Sequence, residues 1–147
     1  MGKNVNEKHL EFLQNNISRM NQCSFQMKGW AITLASALVA VFAATLSKEN
    51  VCGNRIYIFV AVASTILFWI LDSVYLSKER KFVGMYNDVI GISNGTKKKR
   101  QSLADFEIAV EKYTGWRYCI FRAMLSPTEI ILYGVVIIGL VVLALFA

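Results

Sequence analysis

The run from Ile56 to Val89 limits what this chain can fold into. Its first part, IYIFVAVASTILFWILDSVYL, is apolar and long enough to cross a bilayer as a helix. Its continuation, SKERKFVGMYNDV, is charged but keeps a helical pattern, and no proline interrupts the join. The reading is one long helix that crosses the membrane and runs on into the cytosol. Asp72 lies inside the apolar part near its cytosolic end, where an acid costs up to about 2.5–3.5 kcal/mol on insertion scales. Thr65, Asp72, Glu79 and Tyr86 recur every seven residues and so share one helix face. A polar stripe entering a membrane should face protein or water. Thr65, Asp72 and Glu79 are therefore candidates for lining a pore or contacting another helix. The structural alternative is an Asp72 bonded to Tyr75 or to water drawn in from the cytosol.

The totals point the same way. Of 147 residues 55% are hydrophobic, and the mean hydropathy of +0.43 is too high for an ordinary soluble domain. One proline and nine glycines leave little material for a loop-rich or β fold. The expected fold class is an all-α membrane protein, with three transmembrane helices and a cytosolic amphipathic helical layer. Cys23, Cys52 and Cys119 fall in three segments with no metal-ligand spacing, and an odd count makes no disulfide framework. The first apolar run begins at Trp30, too far along for a cleavable leader, and leads into a full span.

Residues 1–29 read as a cytosolic amphipathic helix. Leu10, Leu13, Ile17, Met20, Ser24 and Met27 alternate three and four apart, an a/d seam with one polar member. Ala31, Leu34, Leu38 and Val41 continue that spacing, so the helix and the first span, residues 30–46, read as one rod. Gly29 at the join weakens this slightly. Ser36, Ala40 and Ala44 fall four apart and would let another helix backbone approach. With Leu13, Ile17 and Met20 they are the candidate oligomerisation residues. The alternative is that the seam packs on the Phe82–Ile90 face of the same chain, where Phe82, Val83, Tyr86, Val89 and Ile90 are expected to be buried.

Residues 47–55 form a short outer loop and 56–76 the second span. Residues 77–129 make a cytosolic insert. Within it, GISNGTKKKRQ breaks the helix, and Ser102 caps a further short helix carrying Leu103, Phe106, Ala109, Val110 and Tyr113. The segment GWRYCIFRAML alternates aromatics with Arg117 and Arg122, a composition suited to the bilayer surface with arginines reaching headgroups. Ser126-Pro-Thr-Glu129 has the form of a capping box, with proline in the first helical position. The third span is 130–147, barely enough to cross.

Lysines and arginines set the orientation. Lys3, Lys8, Arg19 and Lys28 precede the first span, only Lys48 and Arg55 lie in the first loop, and the second loop is strongly basic. The N-terminus and the second loop are expected in the cytosol and the C-terminus outside. Lys97-Lys98-Lys99-Arg100 is the candidate site for an anionic ligand or for lipid headgroups. An enzyme is not expected. The one histidine, His9, sits in an N-terminal region expected to be mobile and lacks a credible nucleophile partner. There is no P-loop, no GxGxxG and no His/Cys cluster, so no cofactor or metal is expected. One such chain cannot enclose a useful pore, so a channel would require a homo-oligomer.

Two stretches carry a resemblance. HLEFLQNNISRMNQCSFQMKGW supplies Glu11, Phe12, Gln14, Arg19, Met20, Ser24, Phe25, Lys28, Gly29 and Trp30. LDSVYLSKERKFVGMYNDV supplies Asp72, Tyr75, Leu76, Glu79, Arg80 and Tyr86. In these residues the chain resembles a group of small bacterial inner-membrane proteins. Some of these act as membrane effectors of antiphage defence, including the ion-channel effectors of Hailong systems. The resemblance implies a homo-oligomer such as a tetramer in the bacterial inner membrane, conducting ions. It also implies restraint by a single-stranded oligonucleotide or nucleotide ligand made by a partner nucleotidyltransferase. It carries over no ligand-binding residue.

Overall fold

The computed structural model describes residues 2–46, 54–90 and 113–146. Four helices follow in order: α1 (Gly2–Ala44), α2 (Ile56–Ile90), α3 (Ile120–Met124) and α4 (Pro127–Phe146), with a 3₁₀ turn at Trp116–Tyr118 before α3. The described residues contain no strand. The sequence logic of the two long rods holds. Neither contains proline, and Gly29 costs only about 1 kcal/mol in a helix interior, too little to break a rod packed along its length. Thr33 adds a bond back to the Gly29 carbonyl at 2.8 Å. At 1.5 Å per residue α1 is roughly 65 Å long, about twice the hydrocarbon thickness of a bilayer.

Three helices are long and apolar enough to cross a membrane, their best windows reaching mean hydropathies of 1.6, 2.0 and 2.7 for α1, α2 and α4. Large apolar side chains are exposed on all three, among them Ile32, Leu67 and Ile131. That is how a bundle surrounded by lipid rather than water should look. The chain is an all-α membrane protein.

α1 and α2 form one antiparallel hairpin. Its register is read from Phe42 beside Ile58 where α1 ends and α2 begins, Lys28 with Asp72 in the middle and Leu13 beside Met85 at the far end. Between the two helices the Asn54 backbone amide donates to Thr45 Oγ1 at 2.9 Å. α4 lies against α2, and its Leu140 joins Ala35, Phe42, Ile58 and Ala61 in the apolar core.

The seam keeps its expected face up to the membrane and then turns. Leu13, Ser24 and Ala31 are buried, but Leu34 and Val41 are 40% and 44% exposed, while Ala35 and Phe42 are buried instead. A straight helix of 3.6 residues per turn drifts about 20° per heptad from a 3.5 spacing, and over four heptads the contact stripe moves to the next column. Ala31 and Ala35, four apart, are thus the small residues that face α2. Ser36, Ala40 and Ala44 are exposed, and Ser36 spends its hydroxyl on its own helix, donating to the Thr33 carbonyl at 2.9 Å.

At the far end, around Leu13, the seam packs on its own chain. Leu13 and Met85 are fully buried with Tyr113, and Phe82, Tyr86, Val89 and Tyr118 close around them. Met85 thus occupies the centre of the face expected to be formed by Phe82, Val83, Tyr86, Val89 and Ile90, whereas Ile90 is exposed. His9, expected in a mobile segment, is helical and buried at 2% exposure. The segment 113–119 crosses α2 at Gly84. A Cβ there would lie 2.8 Å from the Tyr118 hydroxyl and 3.0 Å from the Tyr113 ring. Tyr113 donates to Asp88 at 2.6 Å, and burial together with that carboxylate raises its hydroxyl well above the ordinary range, keeping it a donor. Gly84→Val is expected to lever Tyr113 and Tyr118 off α2 at a cost of about 1–3 kcal/mol. Tryptic cleavage at Arg117 should then quicken by about fivefold at the lower end of that range and on the order of 100-fold at the upper end. Unchanged cleavage would show that this crossing tolerates a side chain.

Candidate functional site

The polar stripe faces protein. Thr65 and Asp72 are fully buried inside the protomer, and Glu79 is half-buried against Asn21 of α1, which bonds it. All three are helix-contact residues in this structure. Thr65 is satisfied within its own helix, its hydroxyl donating to the Ala61 carbonyl at 2.7 Å.

Asp72 meets neither Tyr75 nor open water. Its partner comes from α1. Lys28 Nζ lies 2.6 Å from Asp72 Oδ2, 2.8 Å from Glu129 Oε1 and 2.8 Å from Ser24 Oγ. An ammonium has three hydrogens to donate, and these three acceptors use them all. Tyr133 of α4 donates its hydroxyl to Asp72 Oδ2 at 3.1 Å and stacks on Trp69 of α2, with ring centroids 6.0 Å apart and planes 15° from parallel. The node therefore joins α1, α2 and α4 at one depth.

Chain topology brings these residues together. Lys28 stands just before the first span, Asp72 just before the end of the second and Glu129 just before the third. In three consecutive antiparallel spans those positions share one level, the cytosolic boundary in the orientation expected from the basic residues. Ser24 and Lys28 are one turn apart on α1, so the serine props the lysine toward α2.

The electrostatics are unbalanced. Two carboxylates share one ammonium and lie within reach of each other, so the node has one acid more than it has cations. Asp72 Oδ1 and Glu129 Oε2 are buried with no hydrogen-bond partner. Lys28 keeps 21% of its side chain exposed, against 0% for Asp72 and 2% for Glu129. The site is thus open on the lysine side and closed on the acid side. Such an arrangement can hold three helices in register, and it can take up one further positive charge at the two unmatched oxygens. Among the described residues no group of three or more His, Cys, Asp or Glu side chains could hold a metal.

Lys28 and Glu129 were not read as site residues from sequence. Lys28 counted as a topology charge and Glu129 as the closing member of a capping box. That box does not form, because the Ser126 amide already donates to the Ala123 carbonyl at 3.0 Å, leaving Glu129 nothing to cap there. Its carboxylate turns inward to Lys28 instead. The signal that points to both is depth: an acid near one end of a span needs a cation at the matching end of a neighbour.

Of the candidate oligomerisation residues, Leu13 is fully buried within the protomer, and Ile17 and Met20 are half-buried along the same hairpin. Lys97, Lys98, Lys99, Arg100, Cys52 and the helix capped by Ser102 lie outside the described residues. The expected surface segment divides into the 3₁₀ turn and α3, with Trp116, Phe121 and Leu125 exposed. The chain matches no protein-family model, no curated protein and no solved structure.

Proposed function

We propose that this chain is the protomer of a homo-oligomeric ion channel of the bacterial inner membrane, controlled from its cytosolic end by an anionic ligand. The observation that carries the reading is the node of Lys28, Asp72 and Glu129. Charges inside a membrane bundle are costly and mark conduction or switching more often than anchoring. Here two acids share a single cation at the level where a cytosolic ligand would act. Because Thr65 and Asp72 are enclosed by the protomer, they act as a latch on the closed form rather than as its pore wall. The exposed column Ser36, Ala40 and Ala44 supports contact between copies. The role in antiphage defence, with an oligonucleotide ligand at Lys97–Arg100 and a partner nucleotidyltransferase, rests on the resemblance in α1 and α2.

The purified chain in liposomes is expected to pass ions, and Asp72→Leu is expected to alter that flux while leaving the protein folded, since Lys28 stays balanced by Glu129. Replacing Lys97, Lys98, Lys99 and Arg100 by glutamine should weaken oligonucleotide binding and flatten its salt dependence. No flux with or without oligonucleotide would sink the channel. A second reading, a non-conducting subunit that tethers a cytosolic partner, is favoured by the complete enclosure of Thr65 and Asp72. It predicts a monomer or heteromer on cross-linking in mild detergent, where the channel predicts a ladder of identical subunits.

A further inference from the structure

Beside the node, on the outer surface of the bundle, is a cleft of about 370 Å³ lined by Arg80, Arg117, Arg122, Leu125, Ser126 and Pro127. Three guanidinium groups from three separate elements converge there: Arg80 from α2, Arg117 from the 3₁₀ turn and Arg122 from α3. Arg80 is anchored by donating to the Arg122 carbonyl, at 3.4 Å. The salt bridges among the described residues are both made by Lys28, so none of these arginines is held in one, although the Glu79 carboxylate lies close enough to Arg80 to offset part of its charge. α4 begins at Pro127 on the cleft wall, which adds the positive end of a 20-residue helix.

We propose that this cleft binds the phosphate of an anionic phospholipid headgroup. Guanidinium groups match phosphate oxygens in paired hydrogen bonds, and three like charges in one cleft repel until an anion joins them. The position argues for a lipid as the source. Exposed Trp116, Phe121 and Leu125 flank the arginines on the same surface element, and one turn past Pro127 the chain enters its third span. Aromatic and leucine side chains beside arginines at a span boundary are placed to enter the acyl region while the cations hold headgroups. This inference stands apart from conduction, since a non-conducting subunit could carry the same site.

The test uses the full chain in mild detergent, with native mass spectrometry counting retained lipid after addition of phosphatidylglycerol or phosphatidylcholine. Phosphatidylglycerol should be retained selectively, and the triple variant Arg80→Gln, Arg117→Gln, Arg122→Gln should lose affinity by on the order of 100-fold, about fivefold per arginine. The matching triple lysine variant should lose less, because it keeps the charge but not the paired geometry. Equal retention of the two lipids, or an unaltered glutamine variant with native helicity, would overturn the site. Millimolar inorganic phosphate that binds through the three arginines without any preference for phosphatidylglycerol would assign the cleft to a soluble phosphate and overturn the lipid.

Discussion

Lys28→Met should be the most damaging single change in the spans. It removes the ammonium that Asp72 and Glu129 share and leaves two acids enclosed together, at 0% and 2% side-chain exposure. Breaking a buried pair by deleting one partner typically costs 3–5 kcal/mol, and the partial exposure of Lys28 places this case at about 3 kcal/mol. The expected result is a clearly lowered unfolding midpoint in detergent, followed by circular dichroism. The informative comparison is the triple variant Lys28→Met, Asp72→Asn, Glu129→Gln, which carries no charge at the node and should recover much of the loss. Asp72→Leu alone should be milder than Lys28→Met, since it removes the excess charge and leaves one matched pair. A Lys28→Met protein as stable as the parent would show that the node does not hold the helices together.

The second large effect is expected at Leu13. Its side chain is fully buried against Met85 and Tyr113, at the end of α1 that precedes the apolar span. Truncation to alanine leaves a cavity in a small cluster, at a cost of about 2–5 kcal/mol. Hydrogen exchange should quicken along the N-terminal half of α1 and in the facing part of α2, while the spans stay protected. Were Leu13 instead a contact between copies, Leu13→Ala would reduce the oligomer and leave exchange within the isolated protomer unchanged. The two outcomes separate a hairpin role from a zipper role for the heptad seam.

What the sequence made legible follows from the range over which its patterns act. The two long rods, the three spans and the inward face of Thr65, Asp72 and Glu79 all follow from local periodicity and the absence of proline. The switch from Leu34 and Val41 to Ala35 and Phe42 was hidden because spacings of three and four fit a heptad and a straight helix almost equally over short runs. Lys28 and Glu129 were hidden for another reason. Each has a sufficient local explanation, as a flanking charge and as a helix-start acid, and only the pairing of distant helix ends brings them to Asp72. Arg80 in the cleft is the same kind of case, a residue of one element completed by two others far along the chain.

The continuity of α1 and α2 through the membrane boundary has a mechanical consequence. A hairpin without a break on either strut has no hinge along its length, so displacing the tip around Leu13 and Met85 tilts its other end as well. The ion-paired junction at Lys28, near mid-length and tied to α4 through Glu129, lies about where such a lever would pivot.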